Sequence, residues 1–321
     1  MADILDFDSK VFMAPMAGIT DCPFRTILAE CGGGNLISEM VAVNAIQRKN
    51  PKSYQIANVK DEPYPVVVQL VGNNPELFIE AAQLVADLGA KSIDINMGCP
   101  VKKIVNNNSG SALMKDLLLA SQIIEATVKA TPLEVSVKFR KGWDMEHVNA
   151  VKFAKMCEDS GASYITVHGR TRSQGYSGIA DWDIIREVKQ AVKIPVIGNG
   201  DIDSPQKAAQ MLKYSGVDGI MVGRAMLGNP WLLDRIDRCL KGLEPKPEPT
   251  ILQIKEMLLK HLNLLIEYYD ERSGIAISRK FIGWYVRSLY DAKRFREQYT
   301  KLNTLTEAVA LINEYFIKVT E

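Results

Sequence analysis

Residues 66–96 read VVVQLVGNNPELFIEAAQLVADLGAKSIDIN, and this stretch contains the repeating unit of the fold. Its two apolar runs, 66–71 and 92–96, lack strict alternation, which is typical of parallel strands buried on both faces. Between them, Asn74 followed by a proline predicts the start of a helix, and Gly89 predicts its end. The stretch therefore predicts two parallel strands connected by a helix.

Six similar runs lie on either side of this unit, and segments with helical patterning separate them. Eight strands that alternate with helices favour a closed (β/α)8 TIM barrel of the α/β class over an open sheet. The six runs are residues 11–14, 35–38, 134–139, 163–168, 195–198 and 219–222.

The composition changes at residue 244, where the sequence EPKPEPT carries three prolines in seven residues. Such a segment is typical of a stiff linker, and the apolar spacing beyond it is only helical. We therefore predict a barrel followed by a small helical bundle. The predicted parts are a catalytic barrel domain at 1–243, a proline-rich linker at 244–250 and a helical domain at 251–321.

The overall composition narrows the class of protein. The chain has 321 residues, of which 47% are hydrophobic and 24% are charged, and its formal net charge is +1. Such a balance identifies no partner, so a polyanion would have to bind to a local patch. The N-terminus lacks the basic start and apolar core of a signal peptide, and no apolar run is long enough to predict a membrane span. Five widely spaced cysteines without a Cys-x-x-Cys pair predict a reduced, cytoplasmic protein without a cysteine zinc site.

Polar residues follow the apolar runs almost without exception. In a TIM barrel the active site lies where the strands end, so we expect these side chains to converge on one mouth. The glycine-containing turns after the seventh and eighth runs suit a phosphate group, because glycine lets backbone N–H groups approach it closely. The residues concerned are Gln69, Asn96, Lys138, His168, Asn199, Gly200, Asp201, Gly223 and Arg224.

The side chains in this set indicate what the mouth would bind. Lys138 and His168 predict two cations beside the ligand, which suits a group that gains electrons and develops negative charge. Gln69 and Asn96 each offer a donor and an acceptor, which suits a ring with imide edges such as a flavin or a pyrimidine.

Cys99 follows the fourth run in a loop, whereas a cysteine needed only for packing would more naturally lie inside an element. With an ordinary pKa of about 8.5 the thiol is mostly protonated at neutral pH, and it can donate a proton. The adjacent Lys102 and Lys103 would instead favour a nucleophilic thiolate. The residues alone leave both roles open.

Three segments of the sequence resemble the tRNA-dihydrouridine synthases, with a pattern closest to the bacterial class B branch. They are 14–25 (APMAGITDCPFR), 93–113 (IDINMGCPVKKIVNNNSGSAL) and 168–172 (HGRTR). The resemblance covers effectively the whole chain and implies an FMN-binding TIM barrel followed by a helical tRNA-binding domain. It also implies that NADPH or NADH reduces the flavin, and that specific uridines of tRNA become 5,6-dihydrouridine. Hydride would reach C6 from reduced FMN, and a proton would reach C5 from Cys99.

The resemblance also assigns roles to individual residues. It implies that FMN is held by Pro15, Met16, Ala17, Gln69, Lys138, His168, Asn199, Gly200, Asp201, Gly223 and Arg224. It implies that the tRNA or its uracil is contacted by Asn96, Arg170, Arg172, Arg279, Lys280, Arg287, Arg294 and Arg296. Between residues 279 and 301, seven basic residues stand against two acidic ones, which is the pattern that a phosphate backbone requires. We expect a monomer that binds tRNA and NAD(P)H, with no metal and no membrane attachment.

Three other functions remain alternatives. An FMN barrel acting on a free pyrimidine, such as a dihydroorotate dehydrogenase, would explain the mouth but not the basic helical segment. A non-enzymatic tRNA-binding protein or chaperone would not explain Cys99 and the polar strand ends. A phosphosugar isomerase barrel would need no flavin.

Overall fold

The computed structural model describes residues 9–320. Residues 1–8, which the expectation about a signal peptide concerns, and residue 321 lie outside this part of the chain. Eight parallel strands form one sheet in it. The strands are β1 (Val11–Met13), β2 (Leu36–Ala42), β3 (Val66–Val71), β4 (Ser92–Met97), β5 (Val135–Arg140), β6 (Tyr164–His168), β7 (Val196–Asn199) and β8 (Gly219–Val222).

The strands follow one another around a nearly closed barrel. Their order in the sheet is β1-β8-β7-β6-β5-β4-β3-β2, and β1 and β2 are joined through Asn35. The N–H of Asn35 donates to the Val11 carbonyl at 2.8 Å, and its carbonyl accepts from the Met13 N–H at 2.9 Å. The predicted TIM barrel is therefore confirmed.

Helices alternate with the strands around the outside of the barrel, and four more follow it. Short 3-10 turns at Gly110–Lys115 and Arg224–Met226 complete the regular structure. The helices are α1 (Cys22–Glu30), α2 (Val43–Gln47), α3 (Pro51–Ala57), α4 (Pro75–Asp87), α5 (Lys102–Val105), α6 (Leu117–Ala130), α7 (Ala150–Asp159), α8 (Trp182–Ala191), α9 (Pro205–Ser215), α10 (Leu232–Leu240), α11 (Ile251–Tyr269), α12 (Glu271–Tyr285), α13 (Ala292–Tyr299) and α14 (Leu305–Thr320).

The helix predicted between β3 and β4 has the expected ends. The Asn74 side chain accepts from the Glu76 N–H at 2.9 Å, which satisfies one of the free donors at the start of α4. Gly89 follows the helix with a φ of +90°, a conformation that favours glycine. Both the predicted start and the predicted end of this helix are confirmed.

β2 continues to Ala42, whereas the sequence predicted that it ends at residue 38. The polar residue Glu39 looked like the beginning of a loop. It is instead buried within the strand, and its carboxylate accepts a hydrogen bond from the Gly18 N–H in the loop after β1. A partner from another element therefore keeps this carboxylate inside the sheet.

The C-terminal helices have a core of their own but also pack on the barrel. One cluster of buried side chains belongs only to α11–α14 and the turns between them, and includes Leu258, Ile282 and Phe295. Leu265 and Phe281 belong instead to the main core of the barrel. Within residues 9–320, none of the helices combines the length and the hydropathy that crossing a membrane requires.

Candidate active site

The carboxyl ends of the strands surround a cavity of about 810 Å³. This volume lies within the range of about 300–1,000 Å³ that is usual for small-molecule and cofactor sites. Every residue that the resemblance assigns to FMN lines the cavity. These residues are Pro15, Met16, Ala17, Gln69, Lys138, His168, Asn199, Gly200, Asp201, Gly223 and Arg224.

The residues assigned to tRNA or uracil are divided between the cavity and the surface. Asn96, Arg170 and Arg287 line the cavity, together with Cys99. The structure does not bring the others to the cavity. These are Arg172, Arg279, Lys280, Arg294 and Arg296.

Lys138 lies half-buried in the cavity wall at the register position beside Asn96. Its Nζ donates to Asn199 Oδ1 at 3.3 Å, and the Asn199 amide is fixed because its Nδ2 donates to the Met221 carbonyl at 2.9 Å. Burial lowers the pKa of Lys138, and the neighbouring Arg140 charge acts in the same direction. The site thus holds an amine that is costly to charge and that an electron-rich ligand would favour in its charged form.

His168 does not supply the second cation that the sequence predicted. Burial lowers the pKa of His168 well below its ordinary value, and the nearby charges of Lys138 and Arg140 lower it further. The imidazole is therefore neutral at neutral pH. The prediction treated each basic residue alone, whereas the structure crowds several of them into one low-dielectric cavity.

The loop that carries Cys99 is held at every backbone polar atom of Gly98 and Cys99. The N–H groups of Gly98 and Cys99 donate to Asn96 Oδ1 at 3.1 and 2.7 Å. The Gly98 carbonyl accepts from Arg140 Nε at 2.8 Å, and the Cys99 carbonyl accepts from Ser111 Oγ at 2.9 Å. The Cys99 side chain therefore projects from a backbone that has little freedom to shift.

The Cys99 thiol is protonated at neutral pH. Burial raises its pKa, and this effect outweighs the opposing effects of the Val101 backbone N–H and of the Arg140 and Lys138 charges. Lys102 and Lys103 begin α5 with exposed side chains, and neither is among the groups that shift the pKa. The thiolate that these two lysines would favour is therefore not supported, and the thiol is the form available for chemistry.

Asp201 and the two arginines beside it form the rim after β7 and β8. Arg170 Nη2 lies 2.8 Å from both carboxylate oxygens of Asp201, and the Ala180 N–H donates to this carboxylate at 2.7 Å. Burial raises the pKa of Asp201, but these hydrogen bonds outweigh it and hold the pKa below the ordinary value. Arg224 Nη2 lies 4.0 Å from Asp201 and its side chain is about half exposed, so it keeps donors for an anion.

Arg170 is engaged by its own chain through Nε and Nη2, whereas its Nη1 is buried without a hydrogen-bond partner among the described residues. Besides Asp201, it donates to the carbonyls of Ser177 and Gly178 at 3.1 and 2.5 Å, and only 2% of its surface is exposed. It lines the cavity but principally holds the loop after β6 in place. This loop carries Tyr176, to which the sequence prediction gave no role.

Tyr176 and Arg140 are two of the cavity residues to which the sequence analysis assigned no specific role. The Tyr176 ring is 55% exposed, with the Arg224 guanidinium 4.7 Å from its centroid and that of Arg140 5.7 Å away. Arg140 also donates to the Thr171 and Gly175 carbonyls at 3.0 and 2.9 Å. An aromatic residue between glycines in a loop after a strand was the only available signal for Tyr176.

The basic residues outside the cavity have different surroundings. Lys280 Nζ in α12 donates to the Gly18 carbonyl, so it connects the helical bundle to the loop after β1. Arg279 donates to the Leu302 carbonyl at 3.0 Å. Arg294 and Arg296 are exposed on α13. Arg172 lies in the loop after β6, with its guanidinium 4.6 Å from the Trp143 ring centroid.

Comparisons with known proteins agree with this architecture. The chain is 44% identical over 316 residues to a probable tRNA-dihydrouridine synthase of Rickettsia bellii, covering 98% of this chain and 97% of that protein. It is 41% identical over 309 residues to tRNA-dihydrouridine synthase B of Pseudomonas aeruginosa, covering 96% and 93%.

More distant solved structures share the fold. The histamine dehydrogenase from Rhizobium sp. 4-9 superposes with a TM-score of 0.57 at 12% identity, covering 80% of this chain and 49% of that chain. This chain therefore spans about half the length of that solved structure, and the likeness concerns the barrel fold alone.

A sequence model described as dihydrouridine synthase (Dus) matches residues 12–320. This match includes the whole barrel from within β1, the cavity and the C-terminal helices. The family expected from the three sequence segments is thereby confirmed: the chain belongs to the dihydrouridine synthase family.

Proposed function

We propose that this chain reduces specific uridines of tRNA to 5,6-dihydrouridine, with FMN as cofactor and NAD(P)H as reductant. The observation that carries the proposal is the placement of a protonated thiol, Cys99, on a fully hydrogen-bonded loop in the same cavity as Gln69 and Lys138. Reduction of a carbon–carbon double bond needs a hydride and a proton. A thiol fixed at the wall of a flavin site suits delivery of the proton.

The residues of the cavity fit FMN. Gln69 is 1% exposed, and its amide already bonds to Asp94 and Asn96, so that one N–H and one lone pair of its oxygen remain for the imide edge of an isoalloxazine ring. The Lys138 ammonium has three donors, of which the hydrogen bond to Asn199 uses one, so it has capacity for a ligand. There is open space beside the Gly223 backbone: a Cβ added at this position would have Ala14 as its nearest neighbour, at an ordinary contact distance of 3.7 Å. Together with the exposed Arg224, this turn suits the phosphate end.

FMN held by these residues and reduced by NAD(P)H would supply the hydride for C6 of the uracil. Cys99 donates its proton to C5, and burial keeps this proton on the sulfur until the substrate arrives. Lys138 stabilises negative charge on the electron-rich partner, while neutral His168 can donate one hydrogen bond without adding a charge. Uridine has to leave its stack to reach the cavity, at a cost of a few kcal/mol.

The substrate is proposed to be tRNA because of the basic residues on the helical domain. Arg294 and Arg296 are exposed on α13, and Arg287 reaches the rim of the cavity from the same bundle. A path of positive charge from the helices to the cavity suits an RNA backbone whose uridine enters the barrel. A free pyrimidine would need no such path, which disfavours the dihydroorotate dehydrogenase-like alternative.

The domain boundaries at 243 and 251 are part of the proposal. They are supported by the start of α11 at Ile251 and by the buried cluster that belongs only to the C-terminal helices. A monomer suffices, since one chain lines the cavity. The described cysteines are all free, and a compartment that keeps thiols reduced, such as the cytoplasm, suits a mechanism that needs the Cys99 thiol.

The test is reconstitution of the full chain with FMN, followed by NADPH and tRNA isolated from a strain that lacks dihydrouridine. We expect a flavin absorption band, and dihydrouridine in the RNA after incubation. Free uracil and orotate serve as competing substrates. Rapid reduction of a free pyrimidine without modification of the tRNA would overturn the proposal in favour of the free-pyrimidine enzyme.

A further inference from the structure

A chain of hydrogen bonds runs from the barrel interior to the Cys99 loop. It begins at Asp94, a buried carboxylate in β4 that is 2% exposed. Asp94 Oδ2 accepts from Gln69 Nε2 at 2.6 Å, and Gln69 Oε1 accepts from Asn96 Nδ2 at 2.8 Å. Asn96 Oδ1 then accepts from the Gly98 and Cys99 N–H groups at 3.1 and 2.7 Å. The carboxylate and the loop are thus the two ends of one connected network.

The register of the strands places these side chains together. Gln69 in β3 pairs with Asp94 in β4, and Asp94 pairs with Ser136 in β5. Asp94 and Asn96 are two residues apart, so both point to the same side of the strand. The second oxygen of Asp94, Oδ1, accepts from Ser136 Oγ at 2.6 Å, which completes the partners of the carboxylate.

The network can exist in only one direction. An ionised carboxylate accepts hydrogen bonds and donates none, so Gln69 must turn its NH₂ group towards Asp94. The oxygen of Gln69 then faces Asn96, so Asn96 must donate to it from its own NH₂ group. Asn96 Oδ1 is left facing the loop, where two backbone N–H groups need an acceptor. The fixed N–H donors of the loop require the same orientation of Asn96 from the other end, so both ends of the network demand one direction, and Asp94 supplies the acceptor at its buried end.

The carboxylate is retained although its burial is costly. Burial raises the pKa of Asp94 to about 6, although the hydrogen bonds from Gln69 and Ser136 and the charge of Lys138 oppose this effect, so the carboxylate is ionised at neutral pH. A charged group in the interior of a barrel has to be compensated by such partners. A residue without an acceptor at this position would avoid this cost but would leave the Gln69 NH₂ group facing position 94 without a partner.

We propose that Asp94 is a positioning residue for Cys99: it anchors the buried end of the Gln69–Asn96 amide pair, and this pair holds the backbone from which the thiol projects. Asp94 touches neither the cofactor nor the substrate in this scheme. The inference rests on the proposed function of Cys99 as proton donor. It also assigns Asn96 to the support of the loop, because its amide already has partners on both sides.

The direction of the network can be reversed without a change of shape. In Asn96→Asp, Gln69 lies between two carboxylates. The oxygen of its amide must then face one of them, and these two acceptors have no hydrogen to share. In the double variant Asp94→Asn, Asn96→Asp, every partner is restored in the opposite sense. Asn at position 94 donates to Gln69, and Gln69 donates to Asp at position 96. The carboxylate at position 96 still accepts from the Gly98 and Cys99 N–H groups.

The experiment measures two properties of the FMN-loaded proteins. The first is the single-turnover rate of uridine reduction in tRNA by the reduced enzyme. The second is the rate at which iodoacetamide alkylates Cys99, determined for the Cys99 peptide by mass spectrometry. We expect Asn96→Asp to slow reduction by about tenfold or more and to change the alkylation rate by a similar factor, since a mismatched buried partner displaces the amide pair that supports the loop. The double variant should return both rates to within about threefold of the original chain.

A double variant that is as impaired as Asn96→Asp, or more so, would overturn the proposal. If Asn96→Asp does not fold, Asp94→Ala and Asp94→Asn replace it. Alanine removes the acceptor and should release the loop, whereas asparagine keeps an acceptor for Gln69 and should restore both rates. Equal behaviour of these two variants would contradict the proposal. If the original chain forms no dihydrouridine, the proposed function fails, but the alkylation rates still decide whether Asp94 positions Cys99.

Discussion

The Nε–H of Arg140 donates to the Gly98 carbonyl at 2.8 Å, and this hydrogen bond joins the end of β5 to the loop that carries the thiol. The same guanidinium reaches the carbonyls of Thr171 and Gly175 in the loop after β6. One planar side chain therefore sets the distance between two loops of the cavity. Because Arg140 is 3% exposed, solvent does little to replace its partners.

We expect Arg140→Lys to keep the charge but to lose this connection, because an ammonium cannot reach three carbonyls that fit a guanidinium. The rate of dihydrouridine formation should fall by about tenfold or more, and the protein should be destabilised by about 1–3 kcal/mol. Single-turnover kinetics and urea unfolding measure these effects. Arg186→Lys is the matched control, since Arg186 is exposed and pairs with Asp183 at the surface. Equal effects of both substitutions would contradict the role of Arg140.

Replacing Cys99 by alanine should separate the two halves of the reaction. FMN should remain bound and NADPH should still reduce it, whereas dihydrouridine formation should fall by about 10²-fold or more, as for the loss of a general acid. Stopped-flow absorbance follows the first half, and nucleoside analysis of the tRNA follows the second. Cys239→Ala, which changes a half-buried cysteine of α10, is the control. Near-normal dihydrouridine formation by Cys99→Ala would remove the thiol from the mechanism.

The basic surface of α13 should contribute to binding through phosphate contacts. Replacing Arg294 and Arg296 together by alanine should weaken tRNA binding and reduce the slope of log affinity against log salt by up to about 2. Filter binding or fluorescence anisotropy at several salt concentrations measures the slope. Lys155→Ala removes an exposed charge from α7 on the barrel and should leave it unchanged. An unchanged slope in the double arginine variant would show that these side chains face solvent in the complex.

His261 should make the folded state sensitive to acid. Burial lowers its pKa from the ordinary 6.5 to about 3. Between these two values the unfolded chain binds a proton that the folded chain excludes, so stability falls as the pH drops below about 6.5. The loss should reach about 2–3 kcal/mol near pH 4.5, from the difference in pKa. Urea unfolding at several pH values measures it.

His261→Phe should remove this part of the pH dependence, because a phenyl ring has no proton to bind. Phe24 and Phe281 already surround the position, with ring centroids 5.7 and 4.3 Å from the imidazole. The exposed His147, which pairs with Asp144, is the control position, and His147→Phe should leave the slope near that of the original chain. A slope that persists in His261→Phe would assign the acid sensitivity to other groups.

The bounds of a strand could be predicted well from the sequence where burial on both faces alone determines which residues form it. The runs 66–71 and 219–222 coincide with β3 and β8, because strands covered on both faces need continuous apolar residues. The prediction was wrong at the end of β2, where Glu39 is kept inside the sheet by the Gly18 N–H. That partner comes from a different loop, and nothing in the local sequence indicates it.

The location of the cavity residues was predictable, but their charge states were not. Strand ends converge in a TIM barrel, so residues as distant as Gln69 and Arg224 could be assigned to one mouth. The charges that act on Cys99 come from Arg140 and Lys138 on the next strand, whereas the lysines next to it in sequence point to solvent. Proximity in sequence is a poor guide to electrostatics when the chain turns sharply after a strand.

The contact between Phe24 in α1 and Phe281 in α12, with ring centroids 5.8 Å apart, has a consequence for synthesis of the chain. On the ribosome α1 emerges early, but the side chains that cover it emerge only with the last part of the polypeptide. Tyr269, whose hydroxyl donates to Asp21 Oδ2 at 3.1 Å, is equally late. The apolar face of α1 that packs on the C-terminal helices therefore remains uncovered until translation is nearly complete. In this interval we expect the nascent barrel to depend most on chaperones.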